Sequence, residues 1–170
     1  MTPEISTAMI RDLRDKTGAG IMDAKRALEQ AEGDVSQAEE LLREKGLASA
    51  AKRAGRAASE GVVEAYIHSG GRIGAMVELN CETDFVARTD DFTDLAKNLA
   101  MQVAAMSPRF VSRDSVPEGT DDVADEELLL EQDYIREPGT KISDLVTQLA
   151  AKTGENVSVG RFSRFELGQD

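Results

Sequence analysis

The 170-residue sequence predicts an α+β fold, a three-helix bundle followed by a small antiparallel sheet packed with helices. Three observations predict it. Apolar residues recur at helical spacing up to about residue 45, in segments punctuated by glycine. Two alternating runs, "VVEAYIH" and "RIGAMVELN", then flank Ser69-Gly70-Gly71, which has the chemistry of a hairpin turn. Two more helical patterns and a last alternating run, "NVSVGRFSRFEL", complete the chain.

In order along the chain, Thr2-Pro3 offers an N-cap with proline at the first helical position, and Ile5, Met9 and Leu13 form one face. Gly18 suits the left-handed conformation that ends a helix. Ile21, Ala24, Leu28 and Ala31 mark the inner face of a second helix, which stops at Gly33. Asp34, with Gln37 three residues on, starts a third. Its inner face is Val35, Ala38, Leu41 and Leu42, and Gly46 ends it. Leu47 to Ser59, "LASAAKRAGRAAS", lacks an apolar stripe and reads as a partly helical linker. These assignments divide the chain into residues 1–56, a three-helix domain with its linker, and residues 57–170, an α+β core with the boundary near 57.

In the core, Ile73, Ala75, Val77, Leu79 and Cys81 alternate onto one face, as do Val63, Ala65 and Ile67. After Arg88, Thr89 caps a helix with Asp90 and Asp91 at its positive end and a stripe of Phe92, Leu95, Leu99, Val103 and Met106. Thr140 caps another, bearing Ile142, Leu145, Val146 and Leu149 and ending at Gly154. The alternation of the last strand breaks at Gly160, where a bulge would restore the phase.

Composition narrows the function. Hydrophobic residues make up 41% of the chain and aromatics 4%, so the core must be largely aliphatic. A single cysteine cannot form an internal disulfide and fits a reducing, cytoplasmic setting. Met1 to Ile10 lacks the basic start and apolar run of a signal peptide, and no segment has the length of a membrane span. The formal charge of -12 falls wholly after residue 58. Asp114 to Glu137 holds ten acids against Arg136 and reads as a solvated loop. Such a surface repels a phosphate backbone, so nucleic acid is excluded as the primary partner.

Catalytic and cofactor motifs are weak. Ser49-Ala50-Ala51-Lys52 and Lys152-Thr153-Gly154 match two elements of penicillin-recognising serine enzymes, but Ser143-Asp144-Leu145 breaks the third. One His and one Cys make no ordinary zinc site, Asp121 to Glu126 lacks calcium-loop spacing, and no phosphate-binding glycine motif is present. No metal, cofactor or catalytic residue is expected. Phe85, in "NCETDFVAR", lies between a strand and a helix and out of phase with both apolar stripes. Two readings stand equally: a protruding aromatic anchor for a protein partner, or a lid folded back on the core.

"TDFVAR" after a strand resembles the Thr-Asp-Phe-Val loop of the bacterial elongation factor Ts family. "IRDLRDKTGAGIMDAKRALEQAEGD", Ile10 to Asp34, is similar to that family's N-terminal domain, and "GENVSVGRFSRFELG", Gly154 to Gly168, to its closing strand. The resemblance implies a guanine-nucleotide exchange factor that binds elongation factor Tu in its GDP form and performs no covalent step. By position it implies that Thr83, Asp84, Phe85 and Val86 enter the Tu G domain and help to dislodge Mg2+. It also places Arg14, Ile21 and Met22 on the G domain and His68 near the third domain of Tu. Longer members carry two similar core halves, whereas this chain has one, so a homodimer is expected to supply the second contact. The alternative is an adaptor without exchange activity, because the head also has the shape of a ubiquitin-associated domain that grips peptides or the ribosome.

Overall fold

The computed structural model describes residues 5–169. The Thr2-Pro3 cap lies outside them; within them Ser6 caps α1 (Thr7–Thr17), its hydroxyl accepting from the Met9 amide at 3.2 Å. Gly18, at φ 70°, ends the helix and donates to the Arg14 carbonyl. Helix α2 (Ile21–Gln30) buries Ala24, Ala27 and Leu28. Ile21 was expected on that face and is instead 58% exposed, because the buried stripe is centred one turn further along. Asp34 caps α3 (Val35–Arg53) by accepting from the Gln37 amide at 2.9 Å. Val35 is likewise exposed, and the inner face begins at Ala38.

Helix α3 corrects one expectation. It does not stop at Gly46, and the helical part of the segment 47–59 is its continuation to Arg53. Gly46 is a site of close approach: a Cβ there would lie 3.0 Å from that of Ala151, on α6 (Ile142–Thr153). The helix therefore joins two hydrophobic clusters, with Ala38 among the head residues and Ala50 among those of the sheet and its helices.

Strands β1 (Glu60–Ile67) and β2 (Ile73–Cys81) form the hairpin, and β5 (Ser158–Glu166) adds to the other edge of β2, giving the antiparallel order β1-β2-β5. The inward face of β2 is as expected, but β1 is in the opposite phase. Val62, Glu64 and Tyr66 pair with Leu79, Val77 and Ala75 and share their side of the sheet, so Val63, Ala65 and Ile67 point outward. A one-residue change of register moves every side chain to the other face, and the hydrophobicity of both faces of β1 hid the difference. The bulge lies at Gly160, between the pairs Leu79↔Val159 and Glu78↔Arg161. A Cβ at Gly160 would stand 2.5 Å from the Asn80 amide oxygen.

A one-turn helix, α4 (Asp84–Ala87), leads from β2 to α5 (Asp90–Met106), which buries Phe92, Leu95, Leu99 and Val103 against the sheet. Each such side chain contributes about 1.5–3 kcal/mol by leaving water. Met106 falls off the stripe and is exposed. Thr89 occupies the cap position of α5, but its hydroxyl donates back to the Val86 carbonyl at 2.7 Å instead of capping.

The acidic segment is solvated only in its first part. Leu128 and Leu129 are fully buried, and the short strands β3 (Asp133–Tyr134) and β4 (Glu137–Lys141) form a second sheet. Buried Gln102 on α5 fixes this segment: its amide donates to the Gln132 side chain and the Asp133 carbonyl and accepts from the Ile135 amide, all within 3.1 Å. Fully satisfied, such a group specifies one docking geometry. The cap of α6 is Lys141, not Thr140, which lies in β4.

Candidate functional site

Thr83 leaves the sheet in an extended conformation and begins α4, its hydroxyl accepting weakly from the Val86 amide at 3.4 Å. Within that turn Val86 packs against the core and Ala87 is buried. Phe85 consequently faces solvent at 79% exposure, which excludes the lid. An exposed Asp84–Arg88 ion pair at 2.9 Å flanks it.

The base of the turn is held from the loop that leads into β5, the strand beside β2. The Glu155 carboxylate accepts from the Glu82 and Thr83 amides, both at 3.0 Å, and from the Thr83 hydroxyl at 2.6 Å. In return the Asn156 amide donates to the Glu82 carboxylate at 2.7 Å. Buried Asn156 also donates its side-chain N–H groups to the Arg56 and Ala54 carbonyls, just beyond α3. Sequence reasoning passed over Glu82, Glu155 and Asn156, because these bonds join positions more than seventy residues apart and carry no local pattern.

Cys81 is buried and donates from Sγ to the Thr83 carbonyl at 3.1 Å. Burial, reinforced by the nearby Glu155 charge, pushes its thiol up to about 11. The thiolate is scarce at neutral pH, so Cys81 is no nucleophile.

The remaining candidates stand apart. Ile21 and Met22, each 58% exposed, form an apolar pair at the start of α2, and Arg14 is exposed on α1 beside the same turn. His68 is exposed at the closed end of the hairpin, its Nδ1 3.0 Å from the Tyr66 hydroxyl. Since Glu60 pairs with Cys81 and Ile67 with Gly74, His68 and α4 lie at opposite ends of β1, about 25 Å apart. Ser49 is not in a featureless linker: it lines a cleft of about 570 Å³ between head and core, with Lys152, Thr153 and Gly154. Lys52 of the Ser-x-x-Lys pattern does not line that cleft, and the Lys152 ammonium is held on Asp91 at 2.6 Å, so the enzyme arrangement is not assembled. Among the described residues no cluster of His, Cys, Asp and Glu is arranged to hold a metal, and no helix is long and apolar enough to cross a membrane.

Residues 12–132 match the family model for Elongation factor TS. The chain is 48% identical to elongation factor Ts of Carboxydothermus hydrogenoformans over 195 aligned positions, covering 97% of this chain and 90% of that protein. It is 46% identical to elongation factor Ts of Thermotoga neapolitana, covering 98% and 99%. For that of Anaeromyxobacter dehalogenans the identity is 47%, covering 98% and 90%. An alignment of 195 positions with a chain of 170 residues leaves at least 25 positions where the relative has residues and this chain has none. Both the family match and the near-full coverage at this identity carry the same conclusion: the chain belongs to the elongation factor Ts family of translation factors.

Proposed function

We propose that the protein binds elongation factor Tu·GDP and promotes release of GDP through the α4 turn, with no covalent step. The observation that carries this reading is Phe85, a large apolar side chain 79% exposed on a turn whose base is tied down by several hydrogen bonds. A wedge of this kind stabilises only the partner conformation that offers it a pocket, so it shifts the partner's population toward an open nucleotide and Mg2+ site. Thr83, Asp84, Phe85 and Val86 form the inserted turn. Arg14, Ile21 and Met22 on the helical head make a second contact with the G domain, and His68 reaches a separate part of the partner. Exchange by coupling obeys reciprocity: if the protein weakens GDP binding, GDP weakens protein binding by the same factor.

The chain has one core half, and a second copy supplies the other contact. Support comes from the outer face of the sheet. Ile67 and Phe165, 68% and 72% exposed, both pair with Gly74, and Val63 and Met76 extend the apolar surface. Light scattering on the free protein and on its complex is expected to report a dimer; a monomer in both would remove this part of the reading.

Release of labelled GDP from Tu·GDP tests the whole. The protein is expected to accelerate release, and Phe85→Ala to lower the accelerated rate about thirtyfold, as for loss of one aromatic hot spot of about 2 kcal/mol. Because Phe85 lies outside the core, thermal stability should stay unchanged. No acceleration by the parent protein would leave the adaptor reading in its place.

A further inference from the structure

We infer that Glu155 is a positioning residue for Phe85: its carboxylate fixes the orientation of the Thr83–Val86 turn and thereby makes the wedge effective in nucleotide release. This rests on the exchange reading above. Pairing of β2 with β5 ends at Asn80↔Ser158. Beyond it, the amides of Glu82 and Thr83 have left the strand ladder, and both point at one Glu155 oxygen while the other receives the Thr83 hydroxyl. A charged acceptor with two oxygens suits three donors arranged in this way. The exchange is reciprocal, since the residue after Glu155 donates its amide to the side chain of Glu82. The Arg56 guanidinium stands 3.7 Å from the same Glu82 carboxylate, so the segment just beyond α3 is tied into the clamp as well.

The clamp matters because α4 cannot orient itself. Four residues are far below the length at which a helix is stable in isolation, and the Thr83 cap bond is long. Phe85 has little packing of its own, being largely exposed. Its direction is therefore inherited from the turn, which Val86 and Ala87 seat on the core at one end and which Glu155, in the loop leading into β5, fixes at Thr83. Glu155 itself is half-buried and lies outside both hydrophobic clusters, so its role is distinct from that of a core residue.

The test has two arms on the full chain. The sequence contains no Trp, so Phe85→Trp introduces a single indole at the tip. Time-resolved anisotropy of the free protein should show the fast local motion of that indole increase about twofold when Glu155→Ala is added, with far-ultraviolet circular dichroism unchanged. Glu155→Gln should restore most of the order, because its carbonyl can serve the two amides and its NH2 can donate to the Thr83 hydroxyl. In the second arm, with Phe85 native, Glu155→Ala should lower the saturated rate of GDP release from Tu·GDP about tenfold. The half-saturating concentration should change less than about threefold, and Glu155→Gln should recover the rate. If Glu155→Ala fails to fold, Thr83→Val carries both readouts in its place and is expected to lose about threefold in rate. Unchanged anisotropy, or a saturated rate equal to that of the parent, would overturn the inference while leaving the exchange reading in place. A parent protein that does not accelerate release would overturn both.

Discussion

The two ends of the β1–β2 hairpin are built to different standards of rigidity. At the closed end, the His68 amide donates to the Ile73 carbonyl, the Gly71 amide to that of His68 and the Leu167 amide to that of Arg72, and among the described residues the only side-chain hydrogen bond is that between Tyr66 and His68. Gly70 and Gly71 have open space around them. At the other end, the buried Cys81 thiol donates to Thr83, Glu82 and Thr83 donate to Glu155, and Glu82 accepts from Asn156. Both ends present a residue with a proposed partner contact. Only the second can hold an apolar side chain in a fixed direction, and preorganisation is what lets binding energy act on the partner instead of being spent on ordering the binder. The difference suggests that His68 contributes contact and Phe85 contributes work.

The largest test of this contrast is a methyl group at each end. Gly61 pairs with Asn80 at the rigid end, at φ 148°, and a Cβ there would lie 2.1 Å from the Leu79 carbonyl oxygen. Backbone cannot yield as a side chain can, so Gly61→Ala is expected to destabilise by more than about 3 kcal/mol in urea unfolding, or to prevent folding. Gly71→Ala meets no atom within 4 Å and suffers only from its φ of 67°, at about 1 kcal/mol. Equal losses at the two sites would show that the ends are equally constrained.

The next test reads the chemistry of the rigid end. With its thiol raised from the ordinary 9.0 to about 11, Cys81 should react with a thiol reagent at pH 8 about a hundredfold more slowly in the native protein than in urea. The native thiol holds its proton more tightly than the unfolded one. Its contribution to stability is thus complete below pH 9 and is lost as pH rises through about 11. Rapid native labelling would mean that this end opens readily, and the contrast would fail.

How far the sequence revealed these features depends on the range of the forces involved. Gly18, Gly154 and the bulge at Gly160 were legible because turn and bulge chemistry is local. The inward face of β2 was legible from its alternation, whereas β1 was misread because Val62 and Val63 offer apolar residues in both phases and only the pairing with Leu79 decides. Gly46 was read as a helix end, although contact with Ala151 explains a glycine in mid-helix. Phe85 could be singled out by being out of phase, but not its direction, which depends on the seating of Val86 and Ala87 and on Glu155. Leu128 and Leu129 were hidden by their acidic neighbours, and the buried Gln102 that docks the segment gave no apolar signal.

The smallest expected effect belongs to His68. It is exposed, stands at a glycine turn and has one side-chain partner, the Tyr66 hydroxyl, which water can replace. His68→Ala should change stability by less than about 0.5 kcal/mol. In the GDP-release assay a contact residue and a wedge residue differ in kind. Loss of a contact made equally before and during nucleotide release raises the half-saturating concentration and leaves the saturated rate alone, whereas loss of the wedge lowers the saturated rate. His68→Ala is expected to do the former, by about twofold, a rim-sized effect. A fall in the saturated rate as large as that of Phe85→Ala would mean that the flexible end also drives release. The rigidity of the Glu155 clamp would then no longer separate the two ends of the strand pair.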